Sequence, residues 1–313
     1  MKIDIFTHIL PPRYFEALLG RVRGGTDPAR VAQWLRSNAA LSNIDLRLRL
    51  LDGYSDVAQV LTLATPPPET LVSPDDAVEL ARIANDEMAE LVARFPDKFV
   101  AAVACLPLSD VDAAVEEADR AIIELKLRGV QVFTNVNGEL LDAPRFRPLF
   151  ARMAQYDLPM WIHPWDQPTR IRESEGIDDP VIVHGLRWPY DTSVTMVHLV
   201  LAGLFEDYPN IKIITHHCGG MAPFYDKRLR VDKLRNFYGD TALFGGTASL
   251  MCGYAFFGAD HLLFGSDMPL GASRQGKYGF TEDTIRAIEA MEIAAADKQK
   301  IFESNARRLL RLT

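Results

Sequence analysis

Apolar residues fall in short, nearly unbroken runs, each followed by a stretch with helical spacing. Ile3 to His8, Val57–Leu63, Phe99–Cys105, Gly129–Phe133, Pro159–His163, Ile211–Thr215, Tyr238–Leu243 and His261–Asp267 predict eight strands, Tyr238–Leu243 being the weakest. Unbroken rather than alternating runs suit strands covered on both faces. Between them the spacing predicts helices over Arg13–Leu19, a polar stretch ending at Leu51, and one from Asp75 or Asp76 to about Phe95. Further helices are predicted from Ser109 or Asp110 to Leu127, over Pro144–Tyr156, Thr192–Phe205 and Gly220–Arg235, and as a pair over Thr281–Leu310 broken near Ala296-Asp297. About eight such alternations predict an α/β fold, a (β/α)8 TIM-type barrel, with residues 1–313 forming one domain. Gly20–Asp27 reads as a loop, and Gln167–Tyr190, rich in Pro, Gly and charge, as an active-site insertion.

Composition narrows the function classes. The chain has 313 residues, 48% of them hydrophobic, enough for a large core. A net charge of -8 without any basic block argues against nucleic acid, whose phosphates it would repel. No apolar run is long enough to span a bilayer and the start does not read as a signal peptide, so no membrane and a cytoplasmic location are expected. Cys105, Cys218 and Cys252 are odd in number and widely spaced, which suits free thiols better than disulfides or a thiolate zinc site. Cys218 beside His217 reads as a small buried residue, since neighbours on a strand face opposite ways.

The chemistry sits at strand ends. In a βα barrel the C-terminal ends of the strands carry the active site. His8, His163, His217 (or His216) and Asp267 all fall at such ends. One histidine there is ordinarily a hydrogen-bonding residue, but four metal-competent groups at related ends point to a divalent ion, with His8, His163 and Asp267 sufficient as ligands. Asp267 follows an apolar run directly, and a buried carboxylate needs a cation or several donors. His184, His198 and His261 carry no such argument and read as structural.

These residues resemble a known family. Asp4-x-Phe6-x-His8, His163-Pro-Trp-Asp166, Thr215-His-His-Cys-Gly-Gly220 followed by Pro223-Phe224 and Arg228, and Gly265-Ser-Asp267 resemble the amidohydrolase superfamily. Within it they look most like the metal-dependent decarboxylases that include aminocarboxymuconate-semialdehyde decarboxylase and γ-resorcylate decarboxylase. The resemblance runs from Met1 to Arg307. It implies a distorted (β/α)8 barrel, one divalent ion, zinc first and manganese second, and a homodimer. It further implies His8, His163 and Asp267 as ligands, His217 as the proton-moving histidine, and Arg47 as a substrate-carboxylate contact, although Arg47 reads equally well as a solvated helix residue. The family's first strand ends His-x-His or Glu-x-His, whereas Phe6 stands at the earlier position here. Phenylalanine cannot donate to a metal, so the site binds through fewer protein ligands, recruits a neighbour such as Asp4 or His216, or has lost its ion; a retained but weaker site is the leading expectation.

The leading expectation is non-oxidative decarboxylation of a small aromatic or enol-type carboxylate, with Asp267 and His217 handling protons and Trp165, Trp188, Tyr190 and Met268 as pocket walls. Hydrolysis of a lactone or amide would use the same residues. A barrel that lost its metal at Phe6 and kept a binding role is the third reading.

Overall fold

The computed structural model describes residues 1–23, 32–33, 38–165, 180–270, 273–274 and 277–312, with the side chains of 180, 273, 274, 277 and 278 excepted. Part of the Gly20–Asp27 loop, Asp166, and residues 167–179 of the insertion lie outside this set.

Among the described residues eight parallel strands form the barrel: β1 (Lys2–Ile9), β2 (Val57–Leu63), β3 (Phe99–Ala102, continued by Ala104–Cys105), β4 (Val130–Phe133), β5 (Met160–His163), β6 (Ile213–Thr215), β7 (Tyr238–Asp240) and β8 (Leu262–Leu263). They pair in chain order, β1 to β2 to the first part of β3, and the second part of β3 through β4, β5, β6 and β7 to β8. Val103 N–H donates to Leu61 C=O at 2.9 Å, joining the two halves. The ring closes where the chain beyond β8 meets β1. Ile5 N–H donates to Phe264 C=O (2.9 Å), Asp267 N–H to Phe6 C=O (3.0 Å) and His8 N–H to Met268 C=O (2.6 Å). Asp4 fastens this seam. Both of its carboxylate oxygens accept from Ser266, one from the backbone N–H at 2.9 Å and one from the hydroxyl.

Two apolar clusters explain why the runs are unbroken. Ile3, Ile5, Phe6, Val60, Ala101, Trp161, Ile214, Tyr238 and Leu263 come from seven strands into one interior cluster, together with Leu309 and Leu310 of the last helix. The other strand faces pack under the surrounding helices in a second, larger cluster. Residues buried on both sides have no solvent face to vary, so no polar alternation is written into them.

The helices follow the predicted order with one addition, Thr247–Phe257, which the sequence did not predict, and four corrections. The helix Pro74–Arg94 is capped by Ser73, whose hydroxyl accepts from Asp76 N–H, rather than by an aspartate. Trp188–Leu201 starts four residues before the expected Thr192 and is preceded by a wider turn over Val183–Arg187, so the described part of the insertion is helical. Gly220–Arg235 is not one helix. Asp226–Leu229 and Asp232–Asn236 are separate short turns, divided where Arg230 takes φ 55°. In the tail, the break falls after Glu289 rather than near Ala296.

Candidate active site

The strand ends bring four histidines and one aspartate together around a single aromatic ring. From the Phe6 centroid the rings of His8, His163, His216 and His217 stand at 4.7, 5.6, 3.6 and 5.8 Å. His8 Nε2 is 3.1 Å from Asp267 Oδ1, and His217 Nε2 is 3.7 Å from Asp267 Oδ2. All five polar residues are buried. The sequence expected one of His216 and His217 to face inward, and the structure brings both. β6 stops at Thr215, so strand alternation ends there, and His217, Cys218, Gly219 and Gly220 all take positive φ, from 52° to 74°. That tight left-handed turn redirects the second imidazole into the same cavity. Asp267 is left-handed as well, at φ 64°. Strained backbone of this kind costs roughly 1–3 kcal/mol per residue and gathers at functional sites.

Glycine is required inside that turn. A Cβ on Gly220 would lie 2.2 Å from the Pro189 carbonyl oxygen. This close approach seats Trp188 over the site, with its ring 5.3 Å from His163 and stacked at 6.1 Å on His217. Trp188 thereby lies against two of the four histidines. Trp165 is placed differently. Its backbone is tied to Thr134 and Asn135, and its ring is not one of those gathered around Phe6. Met268 is buried and Tyr190 largely exposed.

Arg47 is fully buried. Its Nε and Nη2 donate to Gln59 Oε1 at 3.0 and 2.9 Å, and its Nη1 donates to the His8 carbonyl. It therefore braces the backbone of β1 directly behind His8. Asp4 is engaged with Ser266 rather than with the histidines, and burial pushes its carboxyl up to about 7.

Electrostatics divides the site in two. Burial, reinforced by the neighbouring histidines, holds His163 and His216 well below the usual histidine range, so both are neutral with a lone pair to offer. Burial also opposes charge on His217 and Asp267, but there the mutual contact wins. It raises the pKa of His217 and, with His8, holds the Asp267 carboxyl far below its ordinary value. Asp240 was missed in the sequence, where Tyr238–Leu243 gave only a weak strand. It ends β7 as Asp267 follows β8, and its Oδ2 lies 2.8 Å from His216 Nδ1. Burial drives the Cys218 thiol pKa upward, in keeping with a small buried residue. His198 pairs with Asp142 and His261 with the Phe237 carbonyl, as structural histidines do.

The donor atoms fit a divalent cation. Among the described residues no group of three or more His, Cys, Asp or Glu is spaced so that it could hold a metal ion as it stands. Yet among the described residues His163 Nε2, His216 Nε2 and Asp267 Oδ1 are buried without a hydrogen-bond partner, as are the Nδ1 atoms of His8 and His217, whose Nε2 atoms face Asp267 instead. Leaving such atoms unsatisfied is costly. His163 Nδ1 lies 2.6 Å from the Pro164 carbonyl, which fixes the proton there and turns the Nε2 lone pair outward, the usual arrangement behind a metal-bound imidazole. Two ligands on one ion at about 2.1 Å each stand roughly 3–3.4 Å apart. The contact between His8 and Asp267, 3.1 Å, is of that size.

Comparison with known proteins identifies the family. The chain is 32% identical to gamma-resorcylate decarboxylase of Rhizobium radiobacter, over 99% of this chain and 98% of that one. A crystal structure of 2,6-dihydroxybenzoate decarboxylase complexed with 2,6-dihydroxybenzoate superposes with TM-score 0.81 at 29% identity, covering 99% of both chains. A dihydroxybenzoic acid decarboxylase from Polaromonas sp., solved with bound manganese and the inhibitor 2-nitroresorcinol, gives 0.81 at 26% identity over 99% of this chain and 97% of that one. The Amidohydrolase family model matches residues 7–312, from one end of the barrel to the other and through every strand end just described, and the chain belongs to that family.

Proposed function

We propose that this chain is a metal-dependent, non-oxidative decarboxylase of a small aromatic carboxylic acid, a carboxy-lyase. The observation that carries the reading is the cluster itself: a shared His217–Asp267 contact beside three other imidazoles, at the C-terminal mouth of a barrel. Relatives that act on hydroxybenzoates support the substrate class. His8, His163 and Asp267 hold the ion, and manganese in a relative makes that metal as good a candidate as zinc. A divalent ion bound there supplies Lewis acidity toward the substrate carboxylate and an adjacent oxygen.

The chain's own groups do the rest. Cleaving the bond to the carboxyl group leaves an electron pair on a ring carbon, which must be protonated. His217 carries the proton, since Asp267 favours its charged form, and Asp267 balances that charge. Trp188 closes over His163 and His217, supplies a flat apolar face for an aromatic ring and keeps water out. Arg47 acts from behind, by fixing the His8 carbonyl. A single-domain homodimer in the cytoplasm is the setting this reading assumes. Among the described residues no helix is long and apolar enough to cross a membrane.

The test is a panel of hydroxybenzoates incubated with manganese- or zinc-loaded protein in deuterated water. The expected products are carbon dioxide and a phenol with one solvent deuteron at the vacated carbon. His217→Gln should lower kcat by about 10²–10⁴-fold while retaining the ion, and His163→Ala should lose the ion. Cleavage of a lactone or amide with incorporation of solvent oxygen, without carbon dioxide, would reject decarboxylation in favour of hydrolysis. A chain that takes up no ion would leave the barrel a binding protein.

A further inference from the structure

His216 is not used by the mechanism above. Its ring is fully buried and stacked on Phe6 with centroids 3.6 Å apart and planes 21° from parallel. It stands 5.2 Å from His163 and 6.3 Å from His217, centroid to centroid. One face of the imidazole is accounted for by that stack and one nitrogen by Asp240. The Asp240 carboxylate is itself pinned, accepting from Cys218 N–H at 3.2 Å and Ala242 N–H at 3.0 Å through Oδ1, while Oδ2 faces Nδ1 of His216 at 2.8 Å. With the imidazole proton on Nδ1 toward that carboxylate, Nε2 is left with a lone pair. Among the described residues that atom is buried without a hydrogen-bond partner. A structural histidine in a packed core satisfies both nitrogens, because an orphaned one costs about 1–3 kcal/mol.

The arrangement repeats, in a second place, what is seen at His163: a proton fixed on Nδ1 by an acceptor, and Nε2 turned toward the cavity unsatisfied. Phe6, at the centre, has no lone pair to give. We propose that His216 is a further ligand, through Nε2, of the ion held by His8, His163 and Asp267, and that Asp240 is its positioning residue. The inference rests on the metal-dependent reading of the site but assigns a residue that reading does not need. His216 thus stands in for the donor that Phe6 cannot be, and the carboxylate–imidazole pair of β7 and β6 becomes part of the metal centre.

Cobalt(II) serves as the probe. Metal-depleted protein is titrated with cobalt alone, followed by visible absorption, chelator competition and elemental analysis. His216→Asn retains an N–H able to reach Asp240 but deletes Nε2. We expect wild type to bind one ion per chain and His216→Asn to bind at least about 10-fold more weakly with shifted absorption bands, while Asp240→Asn weakens binding by roughly 10-fold through loss of orientation. X-ray absorption of cobalt-loaded wild type is independent of how the variants fold, and should count three imidazoles. The inference is overturned by a count of two imidazoles, or by folded His216→Asn with wild-type affinity and an unchanged spectrum. Both outcomes leave the proposed function standing. Wild type that binds no cobalt, manganese or zinc removes the inference and the metal-dependent function together.

Discussion

Glu69 offers a quantitative test of the electrostatics at the catalytic end of the barrel. It lies in the turn Pro68–Thr70 that follows β2, 7% exposed, with no hydrogen-bond partner among the described residues beyond its own backbone N–H. Burial raises its carboxyl from the ordinary 4.5 to about 7. At about 1.4 kcal/mol for each tenfold change, that difference amounts to roughly 3 kcal/mol. The folded state holds its proton more tightly than the unfolded state, so the cost is absent below pH 4.5, grows as pH rises, and is complete above about 7. Glu69→Gln keeps the shape and removes the ionisation. The variant should match wild type at pH 4 and be more stable by about 2–3 kcal/mol at pH 8, the gap opening between those limits. Urea unfolding of both proteins at pH 4, 6 and 8, followed by circular dichroism, measures the difference, and every other titrating group cancels between them. A gap that does not change with pH, or a variant less stable at pH 8, would mean that the carboxylate has a stabilising partner in the folded state and that burial is not what governs it.

Three further outcomes follow from the same geometry. Gly220→Ala would press a Cβ to 2.2 Å from the Pro189 carbonyl at a φ of 64°, so its melting temperature and kcat should both fall as Trp188 is displaced, with a stability loss above about 1 kcal/mol. Ser266→Ala strips one of two Ser266 bonds from the buried Asp4 carboxylate and should cost about 1–3 kcal/mol by denaturant titration, with wild-type stability counting against the seam. Arg47→Lys cannot reproduce a guanidinium that spans Gln59 and the His8 carbonyl. It should lower kcat and thermal stability with KM nearly unchanged, whereas a raised KM with stability intact would return Arg47 to the substrate carboxylate.

Much of this architecture is legible in the sequence because each strand is buried on both faces and bounded by Pro, Gly or polar residues. Strand β1 and the pair His8 and Asp267 could be placed without coordinates for that reason. What escaped has a physical cause in each case. The helix Thr247–Phe257 is apolar nearly all round, so it carries no stripe for a period to reveal. Gly220–Arg235 has helical composition, but Pro223 and the left-handed Arg230 divide it. The alternation rule places neighbouring side chains on opposite faces, and it fails at His216–His217 because the strand has already ended. Asp240 sits on a three-residue strand too short to announce itself, though its position at a strand end was the available signal. Arg47 looked like a surface helix residue because the acceptor that buries it, the His8 carbonyl, is main chain and invisible to side-chain patterns.

The division of charge within the cluster ties these pieces to one chemistry. Four imidazoles crowded around a phenyl ring cannot all be protonated, since each desolvated cation would repel the others. Among the described residues two carboxylates reach them directly: Asp267 contacts both His8 and His217, and Asp240 meets His216 alone. His163 and His216, whose Nδ1 atoms face a carbonyl and Asp240 respectively, are driven neutral. Neutral imidazoles with buried lone pairs are ligands, and a charged imidazole on a carboxylate is an acid. Under the proposed reading, the same burial that would make this cluster a liability in an inert barrel sorts its members into a metal seat and a proton donor, the two roles that reading asks of the site.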